Sequence, residues 1–261
     1  MRHPVTVPAM GGFSFASVIL SYFLIAGGLF TGGLVYLKIN SPSQALALGL
    51  IAAGSLVGGF FAARASRGST IIEPAIGAVL LVATFLVLAF GTHSLDVLKE
   101  SSSAAELIGE IAGAMVVGAL VGAFLSEKIM GEATESAVPW VFYATFASFG
   151  ASLTSALIVA GILVRGDERS SDDQATMMFI GLAIGCVLSG LVIGASAKIR
   201  VAASSFLGGA IGIALMGWFS AVVMGTSHDN DTGIAVMAVV GGVLTVLASL
   251  IGWVTIGKKA A

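Results

Sequence analysis

The sequence predicts an all-α fold: a polytopic transmembrane helical bundle of about eight spans. Three observations predict it. Of the 261 residues, 57% are hydrophobic and only 10% are charged. Soluble domains carry about 25% charged residues, so a water-facing surface cannot be built from this composition. Apolar runs of about 18 residues or more recur along nearly the whole chain, and runs of that length cross a bilayer as helices that satisfy their own backbone groups. The connections are short, which makes successive helices antiparallel neighbours. The chain reads as a single integral membrane domain, 1–261, with candidate repeat halves 1–132 and 133–261.

The first span falls at about 13–37. Arg2 precedes it, but the apolar run from Phe13 to Leu37 is longer than the roughly 7–15 residues of a cleavable signal core. It is therefore read as a membrane helix. The second span, about 44–64, follows Ser41-Pro42-Ser43-Gln44, which is read as a cap residue, a first-turn proline and a Gln at the third helical position. The third, about 73–92, opens at Glu73-Pro74. The fourth, about 105–127, follows Ser103-Ala104-Ala105-Glu106, the spacing of a capping box. The fifth is about 139–164. The sixth, about 174–196, has Asp172 or Asp173 as its cap. The seventh is about 201–225, and the eighth, about 233–257, has Asp231 or Thr232 as its cap. Trp140, Trp218 and Trp253 lie within a turn or two of span ends, as interfacial anchors do.

Lys and Arg in short loops set the orientation. With the N-terminus inside, the inner segments hold Arg2, Arg64, Arg67, Lys128, Lys198, Arg200, Lys258 and Lys259. The outer ones hold Lys38, Lys99, Arg165 and Arg169. Both termini are therefore expected in the cytoplasm. The acidic residues cluster in the outer loops, where several precede helices and favour the positive end of the helix dipole.

The stretch Leu48–Ala78 has echoes elsewhere. A shift of 132 aligns it with Ile180–Ala210, pairing Gly49 with Gly181, Gly58 with Gly190 and Gly77 with Gly209. A shift of 64 aligns Gly54–Arg64 with Gly118–Lys128, with Gly54/Gly118, Gly58/Gly122 and Phe60/Phe124 identical. The pattern suggests four helical hairpins of about 66 residues, arranged 4+4. Glycine is abundant, with 35 residues. Gly28-x3-Gly32, Gly54-x3-Gly58, Gly118-x3-Gly122 and Gly208-x3-Gly212 have the small-xxx-small spacing that lets helix backbones approach in lipid. The faces pack either within the chain or against a membrane-protein partner or second copy.

Ionisable groups inside a membrane are candidate functional sites. Glu110, four residues after Glu106 on one helical face, is the candidate for an outer-vestibule ion or proton site; the alternative is a helix-start carboxylate. Glu73 can cap its helix or pair with Arg64 or Arg67 across the turn, and those three form a structural turn network. His93, His228, Asp96 and Asp229 lack metal-ligand spacing and are read as loop residues, and His3 sits near the N-terminus. Ser14, Ser17 and Ser21 in the first span, and Ser152, Thr154 and Ser155 in the fifth, make polar stripes that hydrogen-bond to backbone or across helices, or line a narrow pathway. Cys186 is the only cysteine and excludes an intramolecular disulfide. No G-x-S-x-G, H-E-x-x-H or P-loop occurs. No catalytic residue, cofactor or metal ligand is assigned, and the chain is not expected to be an enzyme.

The turn R64-A-S-R-G-S-T-I-I-E-P-A75 resembles that of uncharacterised bacterial multi-spanning inner-membrane proteins, in which a similar basic turn runs into T-I-x-E-P-A. The resemblance covers about thirty residues. It implies the inner (plasma) membrane and carries no activity. The expected partner is the lipid bilayer; a net charge of −2 without a basic cluster gives no nucleic-acid surface. The expected function is a non-enzymatic membrane subunit or scaffold packing through glycine-rich helix faces. The alternative is a channel or transporter for a small solute or ion.

Overall fold

The structure is a computed structural model that describes residues 13–39, 43–66, 71–91, 103–130, 138–163, 171–197, 201–224 and 231–257. Every regular element among them is helical: α1 (Phe15–Leu37), α2 (Gln44–Ala65), α3 (Ile72–Gly91), α4 (Ser103–Met130), α5 (Val138–Leu163), α6 (Ser171–Ser196), α7 (Ala202–Met224) and α8 (Asp231–Gly252), the last running into one π-helical turn, Trp253–Gly257. All eight are long and apolar enough to cross a membrane. The protein is a polytopic helical membrane bundle.

Helix starts differ in detail from the sequence reading. The cap of α2 is Ser43, not Ser41: Ser43 is extended, and its hydroxyl accepts the N–H of Leu46 at 3.2 Å. Gln44 becomes the first helical residue, which frees its side chain to reach another helix. Ser103 lies inside α4 rather than ahead of it. Likewise Asp172 and Asp173 lie in the first turn of α6, and Asp231 and Thr232 in that of α8. Ser14, read as part of a polar stripe, caps α1 and accepts from Ser17 N–H.

The packing order is the same in both halves. In the first, α1 packs on α2 and α3, while α4 packs on α2 and α3. In the second, α5 packs on α6 and α7, while α8 packs on α6 and α7. The halves meet mainly where α1 crosses α5. There the Gly27 Cα faces the carbonyl of Phe146, and the Gly150 Cα faces the carbonyl of Phe23. These two central helices are also the most buried.

Glycines make the close approaches. Gly28 and Gly54 lie against each other's carbonyls between α1 and α2. Gly118 lies on Ala52 and Gly122 on Leu56 between α4 and α2, with partner numbers rising together, so those two helices run parallel. Gly190 and Gly194 meet Thr245 and Ser249 of α8 in the same parallel sense. Gly208 and Gly212 lie on α5. At each of these positions a side chain would strike backbone or buried side chain of another helix, so all four small-xxx-small pairs read from the sequence are occupied within the chain.

Candidate functional site

Three places gather polar or aromatic side chains from several helices. The first is the end of the bundle where α1 and α3 begin. Glu73, near the start of α3, is fully buried at 0% exposure. Its Oε1 accepts the backbone N–H of Ser14 at 2.7 Å, and its Oε2 accepts the Ser66 hydroxyl at the end of α2. Arg64, in the last turn of α2, has its charge beside the Tyr143 hydroxyl of α5. The Tyr143 ring packs edge-on to Trp140 and against Phe61. The expected turn network therefore has two arms. Glu73 ties three helices of the first half, and Arg64 ties the first half to the second. Arg67 lies outside the described residues.

The second place is the other end of α2 and α4. Glu110 Oε2 accepts from Gln44 Nε2 at 3.0 Å; both side chains are exposed, as is Glu106. The two carboxylates share a face of α4, and Gln44 is the partner that the shifted cap of α2 supplies. His3, His93, His228, Asp96 and Asp229 lie outside the described residues. Among the described residues, no three His, Cys, Asp or Glu side chains converge as a metal site.

The third place is the junction of α1, α3, α5 and α7, and sequence reasoning missed it. One phenylalanine from each helix meets there. The ring of Phe30 lies 6.1 Å from Phe85, 6.1 Å from Phe149 and 6.3 Å from Phe219, each edge-on. Phe149 and Phe219 are 6.3 Å apart. Edge-to-face pairs at this spacing match the positive rim of one ring to the negative face of the next.

Beside the rings is a group of hydroxyls. Tyr22 donates to Thr84 Oγ1 at 3.1 Å. Thr84 donates to its own helix at Leu80 O, 2.9 Å away, and Thr154 to Gly150 O, 2.6 Å away. Thr84 and Phe85 are sequence neighbours, so the hydroxyl group and the ring group occupy one level of α3.

Burial falls along the α3 and α7 sides of this junction and persists on α5, where Leu153 and Ala156 are buried, and at Leu34 of α1. On α3, Ala78 and Leu81 are fully buried, but Thr84, Phe85 and Leu88 on the continuing face are only partly so. On α1, Leu24 to Ala26 are fully buried, and Leu29 to Thr31 partly. On α7, Ile213 and Met216 are buried and Phe219 partly. The helices α3 and α7 make little or no contact with each other. Phe149 belongs with Leu34, Leu153, Ile213 and Met216 to a buried core cluster against which Phe30 and Phe219 pack, and toward that end of the bundle Lys38 sits over the Trp218 ring at 5.4 Å.

Further hydroxyls fill the second half. Ser148 and Ser189 are 3.2 Å apart, and Ser152 lies 3.7 Å from the Cys186 sulfur, all fully buried. Comparison with protein-family models, with curated proteins and with solved structures returns no match.

Proposed function

We propose that the chain is a translocator for a small uncharged solute, made of two repeated four-helix units that work against each other at α1 and α5. The single observation that carries the reading is the junction of rings and hydroxyls between those units, to which all four odd-numbered helices contribute. The common packing order of the halves, with the sequence offsets of 132 and 64, supports a parallel-repeat architecture of the kind transporters use. An uncharged solute follows from the spans themselves. Among the described residues, every Asp, Glu, Lys and Arg lies toward a helix end, so an ion at mid-bundle would lack the countercharge that membrane sites supply. The reading is non-enzymatic and places the protein in a bacterial inner membrane with both termini cytoplasmic. Osmotic swelling of proteoliposomes tests it. Entry of glycerol, urea or a larger neutral solute faster than into protein-free vesicles is expected; equal rates across the panel would remove the reading.

A second reading, a membrane subunit or scaffold that docks a partner or second copy, has its own observation. Gly109 and Gly113 on α4, with Gly49 on α2, face open space. They are small-residue positions left free after the bundle has packed. Cysteine at Gly113 would then cross-link to a neighbour in native membranes, while cysteine at Lys38 would not.

A further inference from the structure

We propose that the crossing of α1 and α5 is a pivot on which the two halves rock, with a latch at each end of the seam, an inference that rests on the translocator reading above. The first observation is a local two-fold at the crossing. An offset of 123 residues carries Phe23, Gly27 and Thr31 of α1 onto Phe146, Gly150 and Thr154 of α5. The contacts obey the same exchange. Gly27 lies on the Phe146 carbonyl, and Gly150 lies on that of Phe23. Thr31 and Thr154 each donate to the carbonyl of their own glycine, at 2.8 and 2.6 Å. The same F-x3-G-x3-T stretch therefore stands on both sides of the seam. A glycine, and a Thr hydroxyl bonded back onto the preceding turn, are both features of helices that bend. Between the two glycines backbone meets backbone, with no side chain of either in between.

Rings cross the seam on both sides of that point. Toward the end where α1 begins, Phe61 of α2 packs on Phe146 at 5.1 Å and on Tyr143 at 5.7 Å. Toward the other end, Phe30 packs on Phe149 and Phe219. Beyond each set of rings, a cation of the first half meets an aromatic side chain of the second. The Arg64 charge is beside the Tyr143 hydroxyl at one end, and Lys38 stands over the Trp218 ring at the other. A change in crossing angle moves atoms in proportion to their distance from the crossing. It therefore shifts the glycines least and the two cations most. It also opens one end while it closes the other, so the two latches oppose each other. Releasing one tips the balance toward opening its own end.

The test is pulsed electron–electron resonance on the full-length protein in proteoliposomes, with Cys186→Ala as background. Spin labels go on α4 and α8, which carry none of these seam contacts. Cysteines replacing Glu106 and Thr232 report the Lys38 end, and cysteines replacing Lys128 and Thr255 report the Arg64 end; all four positions are exposed. Lys38→Ala removes one cation–π contact and should raise the share of long Glu106–Thr232 distances about two- to fivefold. The Lys128–Thr255 distance should shorten in the same sample. Arg64→Ala should do the reverse. Lys38 is exposed, so Lys38→Ala carries the test even where Arg64→Ala does not fold; gel filtration and thermal melting report folding. Two distances that move together, or that Lys38→Ala leaves unchanged, overturn the pivot. Solute swelling of the same proteoliposomes separates the two readings. Opposed distance changes without solute entry overturn translocation and leave the pivot. Solute entry with unchanged distances overturns the pivot and leaves translocation.

Discussion

The Glu73 carboxylate accepts the backbone N–H of Ser14 across 59 residues of chain. Ser14 is the cap of α1, and its hydroxyl already takes the N–H of Ser17. A capping box normally closes when a Glu three residues into the same helix reaches back to the cap N–H. Here that third position is Ser17, and the carboxylate comes from α3. The start of one membrane helix is completed by the start of another.

Glu73→Ala should therefore unfold more easily than wild type by about 3 kcal/mol, since it removes the bonds from the Ser14 N–H and the Ser66 hydroxyl and each bond to a charged group is worth about 1.5–3 kcal/mol. Glu73→Gln keeps an acceptor for Ser14 and should lose about half as much. Thermal or denaturant unfolding in detergent measures both. An alanine variant with the wild-type midpoint would show that the carboxylate holds nothing.

The glycines split into two kinds. At Gly122 an added methyl meets the Leu56 backbone, 2.8 Å from its carbonyl carbon, and a backbone inside a packed pair cannot retreat. Gly122→Ala should cost about 1–3 kcal/mol, as overpacking does. At Gly113 nothing lies within 4 Å, and Gly113→Ala should gain up to about 1 kcal/mol from reduced backbone freedom in the unfolded chain. Opposite signs are the expected result, and equal effects would contradict the packing described.

Two buried serines should also behave oppositely. Ser55 Oγ is buried between α2 and α4 with no hydrogen-bond partner among the described residues. Ser55→Ala should be neutral or stabilising by about 1 kcal/mol, because an unpartnered hydroxyl is costly to bury. Ser148→Ala breaks the contact with Ser189 and should lose about 0.6 kcal/mol, the usual worth of such a bond in lipid. Paired unfolding curves decide it.

Phe30 touches three rings where Phe149 touches two. A double-mutant cycle of Phe30→Leu with Phe149→Leu should give a coupling of about 0.5–1.5 kcal/mol. A coupling near zero would mean that the rings share a level without packing.

The spans were legible because hydrophobic length is a local property: the second was read at about 44–64, and the helix is Gln44–Ala65. Glycine spacing marked Gly54, Gly58, Gly118 and Gly122 as contact positions for the same reason. Capping was legible only to within a residue or two, because Ser41 and Ser43 offer the same chemistry and only backbone geometry chooses between them. Glu73 was recognised as structural, yet its partners Ser14 and Ser66 were not, since no spacing rule links the ends of separate helices. The ring junction left almost no trace. Phe30, Phe85, Phe149 and Phe219 are four of fifteen phenylalanines, and Thr84 looks like any threonine bonded to its own turn. One local signal existed: Phe30, Phe85 and Phe219 fall five to seven residues before the ends of their helices, but without the packing order that coincidence has no meaning.

The parallel pairing of α2 with α4 has a consequence for how the protein is made. A ribosome delivers α2 long before α4. The surface around Gly59, which ends against Ala119, enters the bilayer with about sixty residues still to be synthesised. At about 5–20 residues per second that is roughly 3–12 s. Gly27 waits about twice as long for Phe146. During those seconds the nascent chain carries naked backbone grooves in lipid, and any other small-residue helix can fill them. The insertion machinery must shelter each groove until its own partner arrives. Biogenesis, more than final stability, is the step at which a bulky residue at Gly27 or Gly59 would first be felt.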